Sequence, residues 1–256
     1  MMREMAQVFF ASDSDPVMQR AKEGARASFR YFWRELAWER RRIVPALDIA
    51  AVKVAFYDPP PSSESRAEEM WIGDVDFDGR FVRGTLLNAP NWLKSIREGD
   101  EATVPLHGFS DWMFAIDGRI RGGFTVNAIR ARMSATDRAA HDDAWGFDFG
   151  DPSSVFVAVE LGADGRPLEH PMALNMKASL AEYVRKDPAG ATAKDARGWS
   201  MLHHLALAGT KTGVSVLLDH GVDPNARAND GTTALDLART LGWDDVVETL
   251  VARGAT

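Results

Sequence analysis

The first strong pattern along the chain is a helical one. Asp15 is followed by Pro16, a pair typical of the N-cap and the first position of a helix. Apolar residues then recur every three or four positions, at Met18, Ala21, Ala25, Phe29, Phe32, Trp33 and Leu36. This spacing predicts one amphipathic helix with an aromatic face. A short strand is predicted before it, at residues 7–11. Another face of the helix carries a row of arginines, Arg26, Arg30 and Arg34. We interpret that row as a solvated face, with a phosphate or acidic-partner site as the alternative.

From Val52 onward the period of the apolar pattern changes to two. Alternating positions predict half-buried antiparallel strands over residues 52–57, 71–77 and 120–128. The pairs Asp78-Gly79 and Asp117-Gly118 each join two such runs, as hairpin turns do. A further strand is predicted at 155–161.

Two other features complete the expected fold of this part. Gly122-Gly123 suits a bulge or a strongly curled strand. A helix capped by Ser134 is predicted over residues 135–145. Together the elements predict an α+β fold, in which a small curved antiparallel β-sheet or partly closed barrel is covered by the N-terminal helix.

A repeat of 33 residues organises the end of the chain. Gly198 and Gly231 are 33 positions apart, and GWSMLHHLALAG lies over GTTALDLARTLG in the same register. LLDHGVD likewise lies over LVARGAT. In this pattern residues 195–256 resemble two ankyrin repeats, which implies an all-α repeat stack. The segment 169–194 predicts a degenerate capping helix, because two repeats need neighbours to cover their faces. Residues 1–168 are then the α+β domain.

Two adjacent histidines, His203 and His204, open the first repeat. They could be metal ligands, catalytic groups or scaffold. The resemblance implies scaffold for His203, since it falls on the family's histidine position. The second repeat has Asp236 there, so no ligand set is repeated. Ser200 and Thr233 are predicted N-caps of the repeat helices.

A second resemblance covers residues 15–177. The segments VKVAFYD, EEMWIGDVDFDGRFVRGTLLNAP, REGDEATVPLHGFSDWMFAIDGRIRGGFTV and EHPMALNM are similar to the bacterial YegJ-like domain family, a domain of unknown function. The most specific stretch is Gly99-Asp100, followed by Asp111-Trp112-Met113 and Gly122-Gly123. The resemblance implies a bacterial cytoplasmic module, sometimes considered in toxin-immunity neighbourhoods, and supplies no mechanism.

Composition narrows the function classes. The formal net charge of −7 disfavours a nucleic-acid binder, and the absence of cysteine excludes disulfides and thiolate chemistry. No window approaches the roughly 20 apolar residues that cross a bilayer. We therefore expect a cytoplasmic protein without a membrane segment. No cofactor or metal is predicted.

Few residues suggest catalysis. His107, Ser110 and Asp111 lie within five positions, whereas working triads draw their members from separated elements. Ser110 or Asp111 is instead expected to end a turn before the strand that carries Trp112. The run His141-Asp142-Asp143 cannot converge on one ion, because adjacent helical residues point in different directions. No catalytic residue is predicted.

The leading hypothesis is a non-enzymatic protein–protein interaction module of unknown partner. Its binding surface would comprise Arg197, Trp199, His204, Arg227, Asn229 and Asp230 on the ankyrin repeats. The first alternative is a ligand-binding or hydrolytic β-rich domain around Trp112, with Trp71, His107 and Asp111 in its pocket. The second is a toxin-neutralising immunity protein. The oligomeric state is not specified by the sequence.

Overall fold

The computed structural model describes residues 15–59 and 67–256, so the strand predicted at residues 7–11 lies outside the described part. The chain divides into two units. The first comprises the chain through Phe32 together with Arg41–Ala158, and the second comprises Trp33–Arg40 together with Val159–Thr256. Helix α1 (Pro16–Glu39) therefore contributes residues to both units.

The first unit is built on an antiparallel sheet. Its strands are β1 (Ile49–Phe56), β2 (Glu68–Phe77), β3 (Phe81–Leu86), β4 (Glu101–Pro105), β5 (Phe109–Ile116) and β6 (Arg119–Gly122). They form one six-stranded open sheet in the order β4-β3-β2-β1-β5-β6. The predicted α+β architecture is confirmed, and the sheet is open rather than a closed barrel. Both predicted hairpin turns join neighbouring strands, β2 to β3 and β5 to β6.

Helix α1 begins where the sequence predicted. Asp15 caps it, since the Val17 amide donates to Asp15 Oδ1 at 2.9 Å. Its aromatic face packs on one side of the sheet. The Phe29 ring centroid lies 4.8 Å from that of Phe109, and the Phe32 centroid lies 5.7 Å from that of Trp112. The core of the first unit therefore has the aromatic character that the helical pattern indicated.

The opposite side of the sheet carries a second apolar cluster. Its members are Ala51, Trp71, Met113, Ala115, Ile120, Val126 and Phe149. Helix α2 (Phe124–Arg130) and helix α3 (Ala135–Trp145) follow β6 in the chain. The predicted cap of α3 is confirmed, because the Asp137 amide donates to Ser134 Oγ at 3.1 Å. The sheet is therefore buried on both sides.

The strand predicted over residues 120–128 is wrong beyond its first part. β6 ends at Gly122, and α2 begins two residues later. Gly122 and Gly123 both have positive φ, 77° and 68°, which turns the chain sharply out of the strand. The Asp111 carboxylate then accepts the amides of the first helical turn, Phe124 at 3.0 Å and Thr125 at 2.7 Å. The cap that Asp111 on β5 provides to α2 therefore outweighs the strand-like alternation of residues 120–128.

Two further predictions for this unit are corrected. No strand forms over 155–161, because β6 is only four residues long and offers that segment one hydrogen bond, from the Gly122 amide to the Phe156 carbonyl at 2.9 Å. Ser110 and Asp111 do not end a turn either. Both lie inside β5, which begins at Phe109.

The arginine row of α1 is only in part the solvated face that we predicted, because Arg26 is exposed whereas Arg34 is buried. In the first unit, Arg26 Nε donates to the Phe109 carbonyl at 3.0 Å. In the second unit, Arg34 is buried, and its Nη1 donates to the Leu168 carbonyl at 3.2 Å. These two arginines bind backbone carbonyls of their own units, which makes them structural residues.

The second unit is helical. It contains α4 (Pro171–Asn175), α5 (Lys177–Lys186), α6 (Pro188–Thr192), α7 (Met201–Leu207), α8 (Lys211–Asp219), α9 (Ala234–Thr240) and α10 (Asp244–Ala252). The pairs α7–α8 and α9–α10 form the two 33-residue repeats. The last residues of α1 lie against the start of this unit, where the His170 ring stacks on Trp38 with centroids 5.5 Å apart.

The outer face of the second repeat is polar where the first repeat is apolar. Ala206 and Leu207 are buried in the first repeat, whereas Arg239 and Thr240 occupy the matching positions and are exposed. The first repeat therefore buries its apolar face against the second, which turns a polar face outward.

Candidate functional site

Two tight turns open the two repeats. Asp195 Oδ1 accepts hydrogen bonds from the amides of Arg197 and Trp199, each at 2.9 Å. One repeat later, Asp230 Oδ1 accepts the Thr232 amide at 3.0 Å. Although partial burial opposes it, the Trp199 and Arg197 amides hold the pKa of Asp195 below its ordinary value. We call residues 194–199 and 227–232 the turn row.

The two turns of the turn row are joined across the repeat boundary. The Asn229 amide donates to the Arg197 carbonyl and its Nδ2 donates to the Ala196 carbonyl, both at 3.0 Å. Lys194 Nζ donates to the Arg227 carbonyl at 2.8 Å. Gly198 is required at this junction, since its φ is +78° and a Cβ there would lie less than 3.0 Å from Asn229. These contacts fix the backbone of the turn row.

His203 lies beneath this row and is fully buried. Its Nδ1 accepts the Ser200 amide at 3.2 Å, and its Nε2 lies 3.3 Å from the Thr232 carbonyl of the next repeat. These contacts place a donor at Nε2 and an acceptor at Nδ1, which is the neutral ring. Burial lowers the pKa of His203 below its ordinary value. The residue links the two repeats.

His204 points the other way and is exposed. Its Nε2 lies 3.2 Å from Asp195 Oδ2, and its ring meets that of Trp199 edge to face, with centroids 5.2 Å apart. The adjacent histidines therefore have separate environments, one inside the repeat stack and one on the turn row. They do not form a shared metal site.

The structure brings most of the predicted surface residues together on the turn row. Arg197, Arg227, Asn229 and Asp230 are exposed there. Trp199 is only 4% exposed, and the Arg197 guanidinium lies over its ring at 5.4 Å. Trp199 thus supports the surface from below. Sequence reasoning did not include Lys194, although the 33-residue offset to Arg227 places it at the matching position.

The two repeat helices begin with the predicted caps in different ways. Thr233 Oγ1 accepts the Asp236 amide at 3.2 Å, while Asp236 Oδ2 accepts the Thr233 amide at 2.9 Å. In the first repeat, Ser200 Oγ lies 3.0 Å from His203 Nδ1. Both arrangements fix the start of the helix that follows the turn row.

The residues of the alternative pocket do not converge. Trp112 pairs with Val52 across β1 and β5, whereas Trp71 pairs with Lys53 across β1 and β2. Because successive strand residues point to opposite faces, the two tryptophans lie on opposite sides of the sheet. His107 is exposed in the turn before β5, and Asp111 is fully buried. One cleft cannot be lined by all four residues.

Asp111 has a structural environment. Its carboxylate accepts the amides of Trp112, Phe124 and Thr125, and also the Thr125 hydroxyl at 2.6 Å. Burial raises the pKa of Asp111 above its ordinary value, while these hydrogen bonds oppose that shift. Lys53 Nζ lies 3.3 Å from the Thr125 hydroxyl oxygen. The carboxylate holds the start of α2 against β5.

Comparison with known proteins relates the two parts of the chain to two different families. Residues 15–149 match the family described as "Uncharacterized protein conserved in bacteria (DUF2314)", and residues 172–256 match the family described as "Ankyrin repeats (3 copies)". The chain belongs to the DUF2314 family. It is also 40% identical over 247 residues to the "Putative ankyrin repeat protein NMB1133/NMB1171" of Neisseria meningitidis serogroup B (strain ATCC BAA-335 / MC58), covering 96% of this chain and 97% of that relative.

The DUF2314 part has a second, more distant relative. The "Uncharacterized protein YegJ" of Escherichia coli (strain K12) is 27% identical over 70 residues, which is 27% of this chain and 46% of that protein. Both resemblances seen in the sequence are therefore confirmed.

Residues 15–59 and 67–256 contain neither a membrane-spanning helix nor a metal-binding cluster. No helix in these ranges is long and apolar enough to cross a bilayer. The same ranges hold no cluster of three or more histidine, aspartate or glutamate side chains with the geometry of a metal site.

Proposed function

We propose that this DUF2314 protein is a non-enzymatic, cytoplasmic interaction module that binds a partner protein through the turn row of its ankyrin repeats and the adjacent His204. The observation that carries the proposal is the pair of cross-repeat contacts from Asn229 to the Arg197 and Ala196 carbonyls. They fix the backbone on which exposed side chains stand. A surface held rigid before binding loses less conformational entropy when a partner arrives.

The chemistry of the turn row suits a protein partner. Arg197 and Arg227 are exposed cations, while Asp195 and Asp230 supply carboxylates within the same turns. A surface of mixed sign favours a partner with a matched charge pattern over a polyanion such as nucleic acid. Arginine and tryptophan, which are paired here as Arg197 and Trp199, are also enriched among the residues that contribute most of the binding energy in protein interfaces.

The test uses site-specific photocrosslinking in the full-length protein. A photoreactive benzoylphenylalanine replaces Arg197 in one variant and Arg185, exposed on α5, in the control. We expect a discrete protein adduct from position 197 and none from position 185. Equal adducts at both positions, or none at 197, would contradict binding through the turn row.

A second arm measures the contribution of charge. The double variant Arg197→Ala with Arg227→Ala removes two exposed cations from the turn row. The matched control, Arg185→Ala with Lys211→Ala, removes two exposed cations elsewhere on the second unit. The turn-row variant should capture the crosslinked partner roughly ten-fold less well, as about 1.4 kcal/mol of lost binding predicts. An equal effect of the two double variants would point to general electrostatic attraction.

A further inference from the structure

A groove lies in the first unit, where β1 ends and β4 begins. It is open to solvent and has a volume of about 580 Å³, which is within the range of roughly 300–1,000 Å³ typical of small-ligand sites. Its lining residues are Phe56, Tyr57, Pro59, Ser95, Ile96, Asp100 and Glu101. None of them belongs to the turn row, so the groove is a separate feature of the molecule.

The walls of the groove are held by carboxylates that bind backbone amides. Asp58 Oδ1 accepts the amides of Lys94 at 3.0 Å and Ser95 at 2.9 Å, which ties the loop before β4 to the segment after β1. Hydrogen bonds from Ser95 and Lys94 hold the pKa of Asp58 below its ordinary value. Asp100 Oδ2 accepts the Arg97 amide at 2.8 Å and closes the adjoining turn. The groove therefore has a fixed shape.

The lining combines aromatic surface with negative charge. Tyr57 is 47% exposed, and Phe56 and Ile96 are half-buried beside it. The two charged residues that line the groove, Asp100 and Glu101, are both acidic and exposed. Within the described part of the chain, no hydrogen bond or ion pair engages the Glu101 carboxylate.

We propose that this groove binds the guanidinium group of an arginine side chain presented by a partner protein. A planar cation stacks on an aromatic face and gains electrostatic attraction from the ring. The same fork of N–H donors matches a carboxylate bidentately, which the unengaged Glu101 offers. Among the described lining residues, aromatic surface together with the acidic charges of Asp100 and Glu101 fits this chemistry better than it fits an anionic or a purely apolar ligand.

The experiment is a heteronuclear NMR titration of the full-length protein with N-acetyl-arginine amide. N-acetyl-citrulline amide is the matched control probe, since it replaces the guanidinium with a neutral urea of the same shape. We expect saturable shifts at Tyr57, Ile96 and Glu101 with the arginine probe and no saturable shift with citrulline. Equal shifts with both probes, or none with arginine, would overturn the proposal.

Variants separate the groove from general attraction to an acidic protein. Glu101→Gln should weaken the arginine probe roughly five-fold, and Tyr57→Leu roughly three-fold. Glu98→Gln is the matched control, because Glu98 is exposed in the loop that leads into β4 and does not line the groove. Unchanged binding in Glu101→Gln, or the same loss in Glu98→Gln, would also overturn it. The exposed positions of Glu101 and Glu98 make misfolding an inadequate explanation for a difference.

Discussion

The indole Nε1 of Trp243 donates a hydrogen bond to the Leu207 carbonyl at 3.0 Å, which carries the second ankyrin repeat over the end of helix α7 in the first. The ring of Trp243 is buried and covers Gly209, which lies two residues beyond the end of α7. At the matching position of the first repeat the chain has Thr210 instead. The close approach is therefore a specific feature of this repeat boundary.

Gly209→Ala should destabilise the second unit strongly. The residue has φ +66°, and a Cβ there would lie less than 3.0 Å from atoms of the Trp243 ring. Backbone strain and overpacking together predict a loss of about 2–4 kcal/mol in the free energy of unfolding. Urea unfolding followed by circular dichroism would measure it.

Gly221→Ala is the matched control for this prediction. Its φ is +81°, but no atom lies within 4 Å of the position that a Cβ would occupy. It should lose only the backbone part, about 1–2 kcal/mol. Equal losses in the two variants would show that the contact with Trp243 contributes nothing.

The stability of the second unit should fall in mild acid because of His203. Burial holds the pKa of His203 below the ordinary value of 6.5, so the unfolded chain binds a proton there at pH values where the folded chain does not. This contribution is complete above about pH 6.5 and is lost as pH falls toward the folded pKa. Urea midpoints of the wild type, measured at about pH 8 and about pH 5, should show the decrease.

His203→Gln tests the assignment of that pH dependence. At about pH 8 the variant should be less stable by about 1–3 kcal/mol, because contacts to Ser200 and Thr232 are lost or weakened. The gap between wild type and variant should narrow at about pH 5. A constant gap would assign the acid sensitivity to other groups.

The ankyrin part of the fold could be predicted because its signal is a repeated local pattern. Gly198 and Gly231 fix the register, and each repeat confirms the other. The scaffold role of His203 was implied by the resemblance to ankyrin repeats, which this register supports. What the register could not supply is the individual contacts across the repeat boundary, such as the hydrogen bond that Lys194 Nζ donates to the Arg227 backbone carbonyl.

The failure over residues 120–128 has a non-local cause. The alternation of Ile120 and Gly122 continues through Phe124, and a short apolar run does not distinguish strand from helix. The decision is made by Asp111 on β5, which caps the helix from thirteen residues upstream of Phe124. Gly122 is needed because a Cβ there would meet the backbone and ring of Trp112. Neither contact is visible in the spacing.

The residues of the alternative pocket do not converge for a related reason. Trp71 and Trp112 each alternate correctly along their own strands, but their relation depends on the register of both strands against β1. Trp71 lies opposite Lys53 and Trp112 opposite Val52, so an offset of one residue sends them to different faces. The sequence alone does not determine that offset.

Arg130→Lys should cost the first unit about 2–4 kcal/mol. The guanidinium is buried, its Nε donates to Asp142 Oδ1 at 2.8 Å, and its Nη2 donates to the Gly150 carbonyl at 3.1 Å. A lysine ammonium cannot reach both acceptors from one point. Urea unfolding reports the loss.

Arg132→Lys is the control, since Arg132 is exposed where it pairs with Asp15, and surface pairs contribute less than about 1 kcal/mol. Similar losses in both variants would contradict the assigned role of burial.

The same substitution at two threonines that begin repeat helices should change the free energy of unfolding differently. Thr210 precedes α8, is buried, and its hydroxyl has no hydrogen-bond partner within the described residues. Thr233 precedes α9, and its hydroxyl both accepts the Asp236 amide at 3.2 Å and donates to Asp236 Oδ2 at 2.8 Å.

Thr210→Val removes an unsatisfied polar group without changing the shape of the side chain. It should be neutral or stabilise by up to about 1 kcal/mol. Thr233→Val removes a cap and should destabilise by about 1–2 kcal/mol. Each variant serves as the control for the other in urea unfolding of the full chain. A loss of stability in Thr210→Val as large as that in Thr233→Val would mean that the Thr210 hydroxyl is satisfied in solution, by water or by a rotated side chain.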